Sequence, residues 1–349
     1  MATATTTHAT PTLTFPRPIF AAVSPHPFLQ AHLTAPNAGK APLRANSRTA
    51  QEFRTPGVNT GSLTHCNGSA VVRLGNTSVV CGVRAEILTE VDTNDSVGEG
   101  DEEEKEDLQK EREEMETLRL LVPNVELSTG STPNHIPGNA PSTFAQTLVT
   151  RIRSLLISTN LIRSRDLRIL HTPASNPTDP DETPQPEVKA YWVLYIDIFY
   201  ISIDGNAFDA AWLSILSALR ETRIPRAFWD EDLETILCSD KPGEAWGLKL
   251  RGLPVASSFA VFEGRRGWDE SAEDDDGVDW VLSDPDAFEE AVCRESVAVA
   301  VDCSKEKKGV VRRVEKSGGA VVGREGMREL VERAVERWGV VERVLSGKA

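Results

Sequence analysis

Residues Tyr191–Ile203 read YWVLYIDIFYISI, a run of aromatic and β-branched side chains interrupted only by Asp197 and Ser202. Such a run is a strand, and its apolarity predicts burial on both faces of its sheet. Asp204-Gly205 follows as a turn signal, then a helix of small residues from Phe208 to Glu221, closed by Pro225. A strand of this kind with a helix directly behind it confines the chain to a layered architecture of helices on sheets.

The flanking sequence is consistent with that frame. Ser69–Leu74 and Thr77–Arg84 are apolar runs on either side of Gly75-Asn76, which predicts a hairpin. Leu120–Leu127 is a further apolar run. Ser142 can cap a helix with Ala145, Leu148, Val149, Ile152, Leu155 and Leu156 on one face. Ser257–Phe262, Val278–Leu282 and Val297–Asp302 read as strands. Gly318-Gly319 precedes a closing helix with Met327, Leu330, Val331, Ala334, Val335 and Trp338 on one side. The expected fold is α+β in two lobes: a first domain over 51–230 and a second over 250–349. Residues 1–50 hold no acid, and Pro11, Pro16, Pro18, Pro25 and Pro27 break an amphipathic targeting helix, so a mostly disordered tail is expected, with a short helix around Phe28 and Leu29.

Charge is unevenly placed. Across 349 residues, 38 Lys and Arg face 53 Asp and Glu, a formal −15. The stretch 90–116 carries −11 and 269–279 carries −7, leaving about +3 for the rest, so the folded body is near neutral. Both acidic runs, and the proline-rich 172–186, read as solvated inserts, and acidic surfaces disfavour wholesale coating of nucleic acid. No run reaches the length of a membrane span. The five cysteines include no C-x-x-C pair, which argues against a disulfide framework or cysteine zinc site and fits a reducing compartment.

Catalytic constellations are sparse. All six histidines precede residue 172 without metal-ligand spacing. Gly318-Gly319 lacks the context of a phosphate loop and reads as a tight turn. The acids of Asp284-Pro285-Asp286-Ala287-Phe288-Glu289-Glu290, with Glu295 beyond, could bind Mg²⁺ or act as acid and base, although solvated loop acids are the commoner explanation. Arg151, Arg153, Arg163, Arg165 and Arg168 form the densest cationic stretch; solvated charges and subunit contacts are preferred over RNA contact, and no RNA-contacting residue is assigned.

Several motifs taken in order carry a resemblance. They are Asn59-Thr60-Gly61-Ser62-Leu63, then Cys66 through Thr77, Val80 through Glu86, Leu121-Val122-Pro123-Asn124-Val125 and Trp192 through Asp197. Asp204-Gly205-Asn206, Asp209-Ala210-Ala211, Pro254 through Phe262 and Asp284-Pro285 complete the series. Together, over about 52–345, the chain resembles the RNase PH-like subunits of the eukaryotic RNA exosome ring. That resemblance implies an RNase PH-like fold with a βαβα core like domain 2 of ribosomal protein S5. It implies partnership with other RNase PH-like ring subunits, S1/KH cap subunits, an associated 3′ exonuclease and RNA threaded through the ring. It further implies a role in 3′-to-5′ RNA processing and decay, including rRNA maturation and mRNA decay, in nucleus, nucleolus and cytoplasm.

Active relatives use inorganic phosphate to cleave RNA, and bringing two polyanions together requires several cations. Relatives place arginines in the loop before the first helix; here no Lys or Arg lies between Arg119 and Arg151. After the Asp-Gly turn, Asn206 to Ala211 hold an acid and no cation. The acids allow two alignments, Glu289 with Glu295 or Glu290 with Ser296. The missing cations lead to the expectation of a non-catalytic structural subunit with no catalytic, cofactor or metal residues and no cofactor. The alternatives are an active phosphate-dependent 3′-to-5′ exoribonuclease and, more weakly, a small-molecule kinase of related fold. Arg44-Ala45-Asn46-Ser47-Arg48 departs from the Arg-Pro-Asp-Gly-Arg of many family members, which puts the local turn there in question.

Overall fold

The computed structural model describes residues 15–34, 42–89, 104–132, 142–173, 185–264, 279–305, 309–319 and 322–347. The proline-rich insert, apart from its ends, and the acidic 269–279 loop, apart from Asp279, lie outside the described residues. The described residues open with helices α1 (Arg17–Val23) and α2 (Pro25–Thr34); α2 is the short helix expected around Phe28 and Leu29, and α1 lies where a disordered tail is the sequence expectation. The prolines start helices instead of breaking them: Pro18 lies in the first turn of α1 and Pro25 begins α2, where a backbone N–H has no intrahelical partner to lose.

The first lobe is a six-stranded sheet. It comprises β1 (Pro56–Thr60), β2 (Gly68–Leu74), β3 (Thr77–Leu88), β4 (Leu121–Leu127), β5 (Arg168–His171) and β6 (Glu187–Ser202). The spatial order is β1-β2-β3-β6-β4, with β5 also on β6. The pairing of β4 with β6 is parallel and the others are antiparallel. Strand β6 is central, but Phe199 and Ile201 near its end are exposed, so burial on both faces holds only over Ala190 to Leu194. The acidic insert is not wholly a loop: it contains helix α3 (Glu104–Thr117). Helix α4 (Thr143–Thr159) is capped by the Ser142 hydroxyl, which accepts from Ala145 N, and the expected apolar positions face the core, Val149 half-buried. Helix α5 (Ala207–Glu221) is buried at every position from Ala207 to Leu219, as a helix covered on all sides must be.

Two small ribbons follow, β7 (Arg223–Ile224) with β10 (Trp246–Gly247) and β8 (Ala227–Asp230) with β9 (Thr235–Cys238). The second lobe is an antiparallel sheet in the order β12-β11-β13-β14, formed by β11 (Val255–Phe262), β12 (Trp280–Ser283), β13 (Glu295–Asp302) and β14 (Val310–Ser317). Helices α6 (Ala287–Val292) and α7 (Arg324–Leu345) complete it. The period of two along β11 divides its contacts. Phe259 and Val261 pack with Leu330 and Ala334 of α7, while Ala260 and Phe262 pack with Leu29 and Leu33 of α2. Without α2 that second face would meet water, which is why the N-terminal segment is ordered there. Strand β14 is an edge strand with mostly exposed, charged residues; it lacks an apolar alternation to mark it in sequence.

Candidate functional site

The turn after β6 joins the lobes. Gly205 has φ +68°, and a Cβ there would lie 2.3 Å from the carbonyl carbon of Asp286, so a side chain cannot be accommodated. Asn206, next in line, starts α5; its backbone N–H donates to Glu290 at 2.8 Å and its side-chain amide to Asp209 and Asp284. Asp209 also accepts from the Ser258 backbone N–H (2.9 Å) and hydroxyl (2.7 Å), and pairs with Arg337 of α7. Asp284 accepts from the Arg54 backbone N–H and from its guanidinium, each at 2.8 Å, and pairs with Arg48 at 3.3 Å. Burial alone would raise the Asp284 carboxyl, but the Arg54 hydrogen bonds and the Arg337 and Arg54 charges outweigh it and hold it at about 2.

The questioned turn at Arg44–Arg48 forms. The Arg44 N–H donates to Arg48 O at 2.8 Å, and Ser47 takes φ +67° where many relatives carry Gly. The turn delivers Arg44, 1% exposed, to a 3.0 Å ion pair with Glu289, and its guanidinium also donates to the carbonyls of Thr49, Glu52 and Ser283. Glu289 is thus a structural residue. It also closes a capping box with Asp286 at the start of α6, and the backbone N–H groups of Asp286 and Glu289 donate to each other's carboxylates at 3.0 and 2.9 Å.

Beside this junction lies a cleft of about 230 Å³, formed by the first half of α4, the start of α5, β11 and the passage from α6 into β13. Its charged lining is Arg151, Glu290, Arg294 and Glu295. Partial desolvation pushes the Glu290 carboxyl up to about 7, against the Asn206 N–H and the Arg54 charge, although the residue as a whole is exposed. Arg151 is already engaged: its guanidinium sits 3.9 Å from the Phe208 ring centroid, and Nε donates to Glu315 at 2.7 Å. Arg294 is exposed at the cleft. Gly318, at φ +107°, lies against Glu295, where a Cβ would come within 2.5 Å of its side chain.

These placements sort the sequence candidates. Glu289 and Glu295 are not brought together, because Glu289 is drawn away by Arg44; Glu290, Glu295 and Ser296 share the cleft. The expectation of a pocket without cations is corrected: Arg151 and Arg294 line it, and Arg294 could have been noticed as the residue entering β13. The loop that precedes α4 lies outside the described residues over 133–141. The arginine stretch is divided. Arg151 faces the cleft; Arg163 and Arg168 are partly buried against Glu111 and Glu114 of α3, whereas Arg165, also near Glu111, stays exposed as expected.

Residues 52–225 match the family described as 3′ exoribonuclease family, domain 1. Along its length the chain is 29% identical over 293 residues to exosome complex component rrp43 of Schizosaccharomyces pombe, covering 84% of this chain and 86% of that protein. The chain belongs to the RNase PH-like family. A further RNase PH-like relative is exosome complex component Rrp42 of Methanopyrus kandleri, 30% identical over 218 residues, covering 60% of this chain and 66% of that protein. The same RNase PH-like fold occurs in a chain of the Archaeoglobus fulgidus exosome solved with RNA bound to the active site, with TM-score 0.57 and 21% identity over 91% of this chain and 96% of that one. An archaeal exosome core gives TM-score 0.55 and 19% identity over 87% and 90%.

Proposed function

We propose that this RNase PH-like chain is a non-catalytic structural subunit of an RNA exosome core ring, supporting 3′-to-5′ RNA processing and degradation, including rRNA maturation and mRNA decay. The names of its relatives support ring membership. The observation that carries the non-catalytic reading is the charge of the cleft. Two arginines face two carboxyls, one arginine is held by Glu315, and the sequence before α4 supplies no cation. Holding a phosphate dianion beside an RNA phosphodiester needs a clear cationic excess. In this reading the partners are other RNase PH-like subunits, S1/KH caps, an associated 3′ exonuclease and RNA passing through the ring, in nucleus, nucleolus and cytoplasm.

The test is incubation of the pure chain with single-stranded RNA and inorganic phosphate, expecting no nucleoside diphosphate, together with affinity purification expecting the other ring subunits. A stable monomer that never co-purifies with them defeats ring membership. The active exoribonuclease is favoured by one arrangement, the exposed Arg294 beside Glu290 and Glu295. Phosphate-dependent release of nucleoside diphosphates that is lost in Glu295→Ala would establish it.

A further inference from the structure

At the far end of α4 from the cleft, a second charged surface is covered by the chain itself. Arg163, Arg165 and Arg168 fall within six consecutive positions that run from just beyond α4 into β5, with Asp166 among them paired to Arg251. Glu111 of α3 stands 3.6 Å from both Arg163 and Arg165; Glu114 reaches Arg168 at 2.7 Å and accepts from the Tyr191 hydroxyl. Among the described residues, little else holds α3. In its last turns Met115 is the buried apolar residue and Leu118, just beyond its end, is partly buried.

The fit is incomplete. Glu111 Oε2, Arg112 Nε, Arg163 Nε and Arg168 Nε are shielded from water without a hydrogen-bond partner. A crevice lined by Arg112, Ile157, Asn160 and Arg163 runs beneath the helix. Burial raises the Glu111 carboxyl despite the arginines around it, as expected where the ion pairs are too long to offset desolvation. A contact that leaves buried polar atoms unpaired is costly to keep and readily exchanged for one that satisfies them.

We propose that α3 is a tethered carboxylate cover over the Arg163–Arg165–Arg168 patch, and that the phosphate backbone of single-stranded RNA displaces it. The patch is all arginine, whose planar fork fits phosphate as well as carboxylate and can form the paired hydrogen bonds that Glu111 fails to make. The two carboxyls of α3 that meet the arginines, Glu111 and Glu114, lie one turn apart on one face, presenting anions in succession as a nucleic-acid strand does. The proposal concerns a surface outside the cleft and holds whether or not the cleft is active.

The test is fluorescence anisotropy of labelled oligouridine with the full chain. The double variant Glu111→Gln/Glu114→Gln should bind about fivefold more tightly, since three partly exposed ion pairs are lost. Adding Arg163→Gln and Arg165→Gln should cancel the gain. No gain, or a gain that survives loss of the arginines, overturns the proposal. An equal gain for a labelled polyglutamate peptide overturns RNA as the partner in favour of an acidic protein. In the unaltered chain, oligouridine should speed amide hydrogen exchange over 104–117; unchanged exchange under saturating RNA also overturns it.

Discussion

At the lobe junction Asp284 is fully buried and meets Arg54 through hydrogen bonds of 2.8 Å, whereas under α3 Glu111 is 12% exposed and stands 3.6 Å from its arginines. Both are carboxylate–arginine assemblies, yet in the first, which joins β6, α5, α6, α7 and the N-terminal turn, the charged groups are paired at short range and only neutral atoms such as Asn206 Oδ1 lack a partner. In the second, charged groups themselves, Glu111 Oε2 and the Nε atoms of Arg163 and Arg168, go without a hydrogen bond. A buried charge whose partners are all in place becomes structural, because no single member can be removed without stranding the others. A half-exposed, poorly aligned assembly can exchange one anion for another.

The largest test of that contrast is Arg54→Ala. It strands the Asp284 carboxylate and should cost about 3–5 kcal/mol in urea unfolding; a loss as small as that of an exposed pair would break the comparison. Acid probes the same group. Its folded pKa of about 2 lies below the unfolded value of about 3.9, so its contribution is present above that value and disappears as pH falls through the folded one. The melting temperature should therefore drop between pH 4 and pH 2, and Asp284→Asn should remove that slope.

Glu290 sharpens the contrast from the other side, being a partly desolvated carboxyl on an exposed residue, with no ion pair of its own among the described residues. Its folded pKa of about 7 lies above the unfolded one, so stability is full in acid and is lost as pH rises toward and through neutrality. Glu290→Gln keeps an acceptor for the Asn206 N–H and should stabilise at pH 8 and change little at pH 4, the gain being limited because solvent reaches the residue and screens its charge. A smaller gain is expected from Ser47→Gly, which relieves a positive φ in the turn that positions Arg44 and should add about 1 kcal/mol to the unfolding free energy. Smallest is Glu111→Gln, costing under about 1 kcal/mol. High salt should mimic it, speeding hydrogen exchange over 104–117 while leaving the junction protected.

Much of the frame was legible in sequence. The hairpin β2–β3, helix α4 with its Ser142 cap, the β6–α5 unit and α7 all follow from apolar periodicity and turn residues, which are local signals. The misreadings share a cause. The short helix expected around Phe28 and Leu29 is α2, but the prolines hid its full length and α1, because Leu29 and Leu33 cover a face of β11 that is defined only once the second sheet exists. The acidic insert contains a helix because three arginines distant in sequence meet it.

The site divides in the same way. Composition already revealed the cation-free loop before α4, and the motif order already indicated the family. Which of two adjacent glutamates enters the cleft could not be read from spacing: the choice depends on Arg44, about 245 positions away in the chain, whose charge captures Glu289 and leaves Glu290 to the cleft. Local patterning sets secondary structure because backbone and neighbouring side chains decide it within a few residues. Ionic partnership is decided by where the folded chain brings charge together at low dielectric, so only the tertiary structure assigns it.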